Sequence, residues 1–328
     1  MKIISHCSRQ LFLLLVFVFT LTSCKNDNKQ EEKIIAANEE IQEDLFFKLS
    51  LAQWSLNKPI FAGELDPMDF AQKAHELGFD GIEYVNQFYT PLFKDAEDPE
   101  AALQAVLDTL KSKSEEFGVE NVLIMVDGEG DLATGDQAAR RQAVDNHKKW
   151  VDAAEFLGAH SIRVNLFGSD DPEEWKQNAS AGLSELSEYA AQKNINVIVE
   201  NHGGLSSNAK LLVEVIEQVN MENCGTLPDF GNFCIKREAG SCVDNYPVYQ
   251  GIEEMMEYAK AVSAKSYDFN EETGEETTLD FSRILRIVKD AGYTGFIGVE
   301  YEGNRLSSEE GIIATRDLLI REGKKLQD

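Results

Sequence analysis

Positive charge is scarce in this sequence. Thirty-one Lys and Arg stand against 58 Asp and Glu across 328 residues, a formal net charge of −27. A surface of that sign repels nucleic acid, and no basic cluster offsets it, so DNA and RNA are not expected partners. The apolar run Leu11–Leu21 is too short to cross a bilayer as a stable helix. Phosphate-binding signatures are also missing. Gly128-Glu129-Gly130 is followed by no Gly-Lys-Ser/Thr, and its surroundings carry the wrong charge for a phosphate loop. No GxGxxG turn follows an early strand, which removes the usual mark of a dinucleotide-binding open sheet. The five cysteines form no CxxC pattern, so a cysteine zinc site is not expected.

The N-terminus has the anatomy of an export signal. Lys2 and Arg9 precede the short apolar core, and Leu21-Thr22-Ser23-Cys24 forms a small-residue cleavage region. That tetrapeptide resembles a bacterial lipobox, in which the cysteine becomes the lipidated first residue. The alternative is an ordinary signal peptide with an incidental cysteine. Lys25–Asp44 is too polar to offset its ordering entropy and reads as a flexible tether. The expected organisation is therefore a signal over residues 1–23, lipidated Cys24 with a linker over 24–45, and one folded domain over 46–328. The expected location is the bacterial cell envelope, with membrane contact through the lipid alone. Of the cysteines left, Cys234 and Cys242 are close enough in sequence to pair in an oxidising compartment. With Cys224 the number is odd, so at least one thiol stays free.

Strand-like apolar runs recur along the remaining chain. They are Leu49–Leu56, Gly81–Asn86, Asn121–Val126, Ser161–Leu166, Asn196–Glu200, Cys224–Asp229, Val262–Tyr267 and Gly295–Glu302. Helical stretches separate them: 66–78, opened by Asp66-Pro67; one opened by Asp98-Pro99; 137–157; one opened by Asp171-Pro172; 210–219; 252–262; 281–291; and a last one opened by the Ser307/Glu310 capping box. The segment before Tyr249 reads as irregular. Strands alternating with helices at intervals of about 30 to 45 residues predict parallel βαβ units. At this length they predict an α/β fold of the (β/α)8 TIM barrel type.

A barrel gathers all its strand C-termini at one mouth, where such folds place their chemistry. The residues there are Gln53, Glu83, Asp127, Asn165, Glu200, Asp229, Lys265 and Glu300. Glu200, Asp229 and Glu300 are candidates to converge, and three buried carboxylates demand a cation. Their hard oxygens suit one divalent ion, Mn²⁺ or Mg²⁺, and an added imidazole widens the choice to Co²⁺ or Zn²⁺. The competing reading makes one or two of these acids helix caps. Lys265 is placed to neutralise a developing oxyanion or to form an ion pair with Glu300 or Asp229. His202 is the one histidine of the mature chain on a strand-end loop, a candidate contact to substrate or metal. His75, His147 and His160 read as structural, and Trp54 reads as core rather than a sugar platform.

Gly81-Ile-Glu83, Val199-Glu-Asn-His202, Leu227-Pro-Asp-Phe-Gly-Asn232, Ala264-Lys265 and Gly298-Val-Glu-Tyr-Glu-Gly303 together resemble the xylose isomerase-like barrels. That superfamily includes sugar phosphate isomerases/epimerases and endonuclease IV. The resemblance runs from about Leu49 to the C-terminus. It implies metal ligands at Glu200, Asp229 and Glu300, with Glu200 and Glu300 also moving the α-proton of a sugar through an enediolate. Gln53, Glu83, Asn165, His202 and Asn232 are the candidate substrate contacts. The family's usual fourth ligand, a His two residues before the strand-seven Lys, is Ser263 here; a water, Asn232 or His202 is left to complete the shell. Export and the absence of a basic cluster favour an unphosphorylated sugar or keto-sugar over a sugar phosphate. The expected activity is an isomerase or epimerase. One alternative is a lyase cleaving 3-keto-glycosides by β-elimination at the same site. Another is a non-catalytic sugar-binding lipoprotein.

Overall fold

The structure, a computed structural model, describes residues 45–327. The signal, Cys24 and most of the tether lie outside the described residues. The strands, in chain order, are β1 (Lys48–Ala52), β2 (Gly81–Val85), β3 (Glu120–Met125), β4 (Ser161–Val164) and β5 (Asn196–Glu200). They continue with β6 (Cys224–Leu227), β7 (Cys234–Glu238), β8 (Ser241–Asn245), β9 (Val262–Ser266) and β10 (Phe296–Tyr301). Eight of them form one sheet in the order β6-β5-β4-β3-β2-β1-β10-β9. Every pairing in it is parallel. The bridges Thr226↔Ala259 and Asp229↔Ser263 then join β6 to the β9 side, which closes the barrel. Each expected strand is present, so the (β/α)8 reading stands.

The strands are apolar because both faces are covered. Val197, Ile198 and Val199 of β5 are wholly buried, as are Ile297 and Val299 of β10. The helices present one apolar stripe each. In Phe281–Asp290 the buried residues are Phe281, Ile284, Leu285 and Val288, spaced one helical turn apart. Burying one such side chain contributes about 1.5–3 kcal/mol. Aspartates start most of these helices. Asp98 accepts from the Ala101 N–H, Asp136 from Ala138 and Ala139, and Asp171 from Glu173 and Glu174. Gly118 and Gly158 end two of them in the left-handed region at φ 64° and 78°. The Ser307/Glu310 capping box is formed at Ser308–Lys324.

Three stretches depart from the expectation. Gln53–Leu56 leaves the first strand as a 3₁₀ turn. The helix expected over 252–262 is Val248–Met256 instead. Its last residues serve the barrel closure: Thr226 N–H donates to Tyr258 O, and Lys260 N–H donates to Thr226 O. Gly225 permits this approach, since a Cβ there would lie 2.5 Å from Tyr258 O. The stretch read as irregular contains the antiparallel β7–β8 hairpin, turned by Ala239 and Gly240, both at positive φ. Its residues are mostly exposed, so no apolar alternation announced it. The Cys234–Cys242 disulfide ties it, and Cys224 stays a buried free thiol.

Candidate active site

Four barrel strands deliver the charged cluster. Glu200 is the last residue of β5, and the apolar residues before it carry its side chain inward to 2 % exposure. Asp229 follows β6 and sits where the barrel closes on Ser263. Glu300 of β10 lies opposite Lys265 of β9 in the parallel register. Glu200, Asp229 and Glu300 are all buried, and one carboxylate oxygen from each lies within 4.8 Å of the others.

Every oxygen of these acids has a polar neighbour. Asp229 Oδ1 accepts from the backbone N–H groups of Gly231 at 2.7 Å and Asn232 at 2.8 Å. Asn232 Nδ2 donates to Glu200 Oε1 at 3.1 Å. Arg163 Nε lies 3.0 Å from Glu200 Oε2, an ion pair by distance whose N–H makes no hydrogen bond. Arg163 Nη1 donates to Asp127 Oδ1 at 3.0 Å, and Asn165 Nδ2 donates to the same oxygen at 2.6 Å. Lys265 Nζ is 3.1 Å from Glu300 Oε1 and 3.6 Å from Asp229 Oδ2. The Ser263 hydroxyl is 2.8 Å from Glu300 Oε2 and 3.1 Å from Asp229 Oδ2. One hydroxyl proton can serve only one of these two at a time.

Burial pushes the Asp229 carboxyl well above the usual range, with Glu200 and Glu300 adding to it against the pull of Lys265. Burial also opposes the charge on Glu300, but Lys265 and the Ser263 hydrogen bond more than reverse this and hold it below the usual range. Burial disfavours the Lys265 and Arg163 charges too, and the surrounding carboxylates outweigh it, so both stay cationic. Asp127 is half-buried, and Arg163 outweighs the burial and holds it below the usual range. The cluster therefore sets two cations, Arg163 and Lys265, against three buried carboxyls, with burial working against the charge on Asp229.

The donor set fits a divalent metal ion. Ions bound at about 2.0–2.6 Å to oxygen span ligand atoms at this separation, and an all-oxygen set suits hard cations. Ser263 supplies no nitrogen, and the exposed His202 lies outside the triad.

The remaining candidates take distinct places. Asn165 joins Asp127 at the β3–β4 side and leaves its buried Oδ1 without a partner. His202 is exposed on the loop after β5. Asn232 touches Glu200. Glu83 is wholly buried below them, accepting from the Ser50 hydroxyl at 2.6 Å, with Oε2 unpartnered. Gln53 is engaged within the protein: its Oε1 accepts from the Val85 N–H, and its Nε2 donates to Tyr89 Oη and Pro67 O. Trp54 is half-buried and packs against the hydrophobic core, stacked on Phe88 at 6.0 Å with exposed Phe61 at its edge. Sequence reasoning passed over Arg163, Asn201 and Glu302. An arginine between Ile162 and Val164 in a buried strand was a usable signal. Asn201 was a weaker one, although it fixes the Asp229 loop by accepting from the Asp229 N–H at 2.7 Å and donating to Asp229 O at 3.0 Å.

Known structures of similar fold are enzymes and relatives of the same barrel type. A D-tagatose 3-epimerase-like protein is 18 % identical with a TM-score of 0.63, over 84 % of this chain and 97 % of that one. The 3-keto-D-glucoside 4-epimerase from E. coli is 14 % identical with a TM-score of 0.60, over 77 % and 94 %. A xylose isomerase-like TIM barrel protein from Mycobacterium smegmatis, in complex with magnesium, is 17 % identical with a TM-score of 0.60, over 86 % and 98 %. At these identities the likeness is one of fold. Comparison with curated proteins gives no match. Residues 71–322, however, match the sequence pattern of the xylose isomerase-like TIM barrel, and the chain belongs to that family.

Proposed function

We propose that this protein is a divalent-metal-dependent sugar isomerase or epimerase acting on an unphosphorylated sugar or keto-sugar. The observation that carries the reading is the convergence of Glu200, Asp229 and Glu300 on one point, with Lys265 beside them. The fold neighbours named as a tagatose 3-epimerase-like protein and a keto-glucoside 4-epimerase support the substrate class. The three acids would hold the metal, with Mn²⁺ or Mg²⁺ preferred by the oxygen set. When bound, the ion supplies Lewis-acid polarisation of a substrate carbonyl.

The chain's own groups do the rest. Glu200 and Glu300 reach the mouth from β5 and β10, non-adjacent strands of the barrel, so one can take a proton from a carbon that the other reprotonates. Asn232 and Arg163 fix the Glu200 carboxylate at both oxygens, which limits its reorientation during transfer. Lys265 faces the negative charge that develops on the carbonyl oxygen. Asp229, whose Oδ1 is held by two backbone N–H groups, serves as a ligand and not as the base. Asn165, Asp127 and His202 line the opposite side as contacts for substrate hydroxyls. A second reading, β-elimination from a 3-keto-glycoside, draws on His202, an exposed imidazole on the loop after β5, as the group that protonates the leaving oxygen. We also propose export and anchoring through Cys24; the Cys234–Cys242 disulfide supports an oxidising compartment.

The test is metal content together with proton exchange. The purified chain should hold about one divalent ion, lost in Glu200→Gln and in Glu300→Gln. It should also exchange the α-proton of a keto-sugar panel with D₂O, by NMR, with both variants inactive. Release of a free sugar from 3-keto-glycosides under the same conditions selects the lyase. No divalent ion after incubation with excess Mn²⁺ and Mg²⁺ refutes the reading.

A further inference from the structure

Lys265 is buried in the barrel at 1 % exposure, and its surroundings are asymmetric. Toward the cluster its Nζ faces Glu300 Oε1 at 3.1 Å and Asp229 Oδ2 at 3.6 Å. On its other side it donates a hydrogen bond to Glu302 Oε1, also at 3.1 Å. Glu302 belongs to a different environment from the triad: its side chain is 30 % exposed, against 0 % for Asp229 and 5 % for Glu300. Its backbone is fixed, since the Glu302 N–H continues the ladder to Ser266 O at 2.9 Å. Gly231 leaves room for the lysine stem, because a Cβ there would lie 2.9 Å from Lys265 Cγ. The ammonium thus stands between two acidic berths, one inside the cluster and one at its rim. Arg163 differs: among the triad it is paired with Glu200 alone, and its other arm is tied to Asp127.

We propose that Lys265 is the resident counter-cation of the carboxylate cluster and that Glu302 is a positioning residue that receives its ammonium when a divalent ion binds. The inference rests on the divalent-ion reading above. The triad has too few oxygens to serve an ammonium and a dication fully, and like charges at this separation repel strongly in a low-dielectric site. Binding of the ion is then an exchange. Its charge replaces that of Nζ at Glu300 and Asp229, and Nζ keeps its hydrogen bond to Glu302. The exchange also frees the ammonium for substrate at the mouth.

The experiment is calorimetric titration of the purified chain with MnCl₂, with no sugar present, as a double-mutant cycle. Lys265→Met should tighten Mn²⁺ binding by about tenfold or more, a tenfold change being about 1.4 kcal/mol. Glu302→Gln should weaken it by about tenfold in the parent and change it little in the Lys265→Met background, because no ammonium is left to receive. Circular dichroism checks folding; should Lys265→Met not fold, Lys265→Gln takes its place in the cycle. Weaker binding on loss of Lys265, or an equal effect of Glu302→Gln in both backgrounds, overturns the exchange while leaving the metal site intact. Failure of the parent and every variant to bind Mn²⁺ overturns both the exchange and the metal reading.

Discussion

Glu83 is a buried acid in the barrel interior, and its consequences for stability are open to measurement. The carboxyl is fully inaccessible, takes one hydrogen bond from Ser50 at 2.6 Å, and has an oxygen with no partner. Gly298 of β10 leaves it space, since a Cβ there would lie 2.3 Å from Glu83 Oε1. Burial pushes this carboxyl up to about 8, with the charges of Glu300 and Glu200 adding and the Ser50 hydrogen bond and Arg163 opposing. An unfolded chain titrates the same group near 4.5. Between those values the folded protein holds a proton that the unfolded chain has lost. Stability is therefore complete below pH 4.5 and falls by about 1.4 kcal/mol per pH step as pH rises to 8. The fall reaches about 3 kcal/mol at pH 7 and about 5 kcal/mol above pH 8, a large share of a typical 5–15 kcal/mol. Glu83→Gln keeps the shape and an acceptor for Ser50 but carries no titrating proton. In EDTA, its melting temperature by circular dichroism should match the parent at pH 4.5 and exceed it by roughly 10 °C at pH 8.5. A constant difference between variant and parent from pH 4.5 to 8.5 would refute the reasoning, because it would mean that Glu83 is ionised throughout.

Arg163→Met should destabilise the fold by about 3–5 kcal/mol in urea denaturation, since it strips a buried pair from Glu200 and leaves Asp127 with Asn165 alone. Arg163→Lys should recover only part of this, because one ammonium cannot reproduce the two-armed contact. Cys24→Ser should move the protein from the membrane fraction to the soluble fraction of cells; retention in the membrane would disprove the lipid anchor.

The barrel was legible in the sequence because its signals are local. Val197–Val199 can only be a strand covered on both faces, and Asp98-Pro99 or Asp171-Pro172 can only open helices usefully. The metal-ligand candidates were legible because a carboxylate at the end of a buried strand is conspicuous. What failed were features whose cause lies across space. The β7–β8 hairpin has no apolar face to betray it and is held by a disulfide. The helix before β9 ends early because residues 258–260 are claimed by Thr226. Gln53 looked like a site residue from its place at a strand end, yet Val85, Tyr89 and Pro67 use its amide. Arg163 was visible as a charge on a buried strand, but its two partners are known only once β3 and β5 lie on either side of it.

Ser263 ties these points together. Where the family pattern expects an imidazole, this chain has a hydroxyl bridging Asp229 and Glu300. An imidazole would contribute a neutral nitrogen ligand and draw softer ions; the hydroxyl contributes neither. It leaves three acids faced by two cations, Arg163 and Lys265. A divalent ion bound there would take over part of an ammonium's share, and the proposed site would discriminate by charge and oxygen affinity and not by nitrogen ligation. On that logic Ser263→His should shift preference from Mn²⁺ and Mg²⁺ toward Zn²⁺ and Co²⁺ without moving the three acids, a direct consequence of restoring one borderline-soft ligand to a hard set.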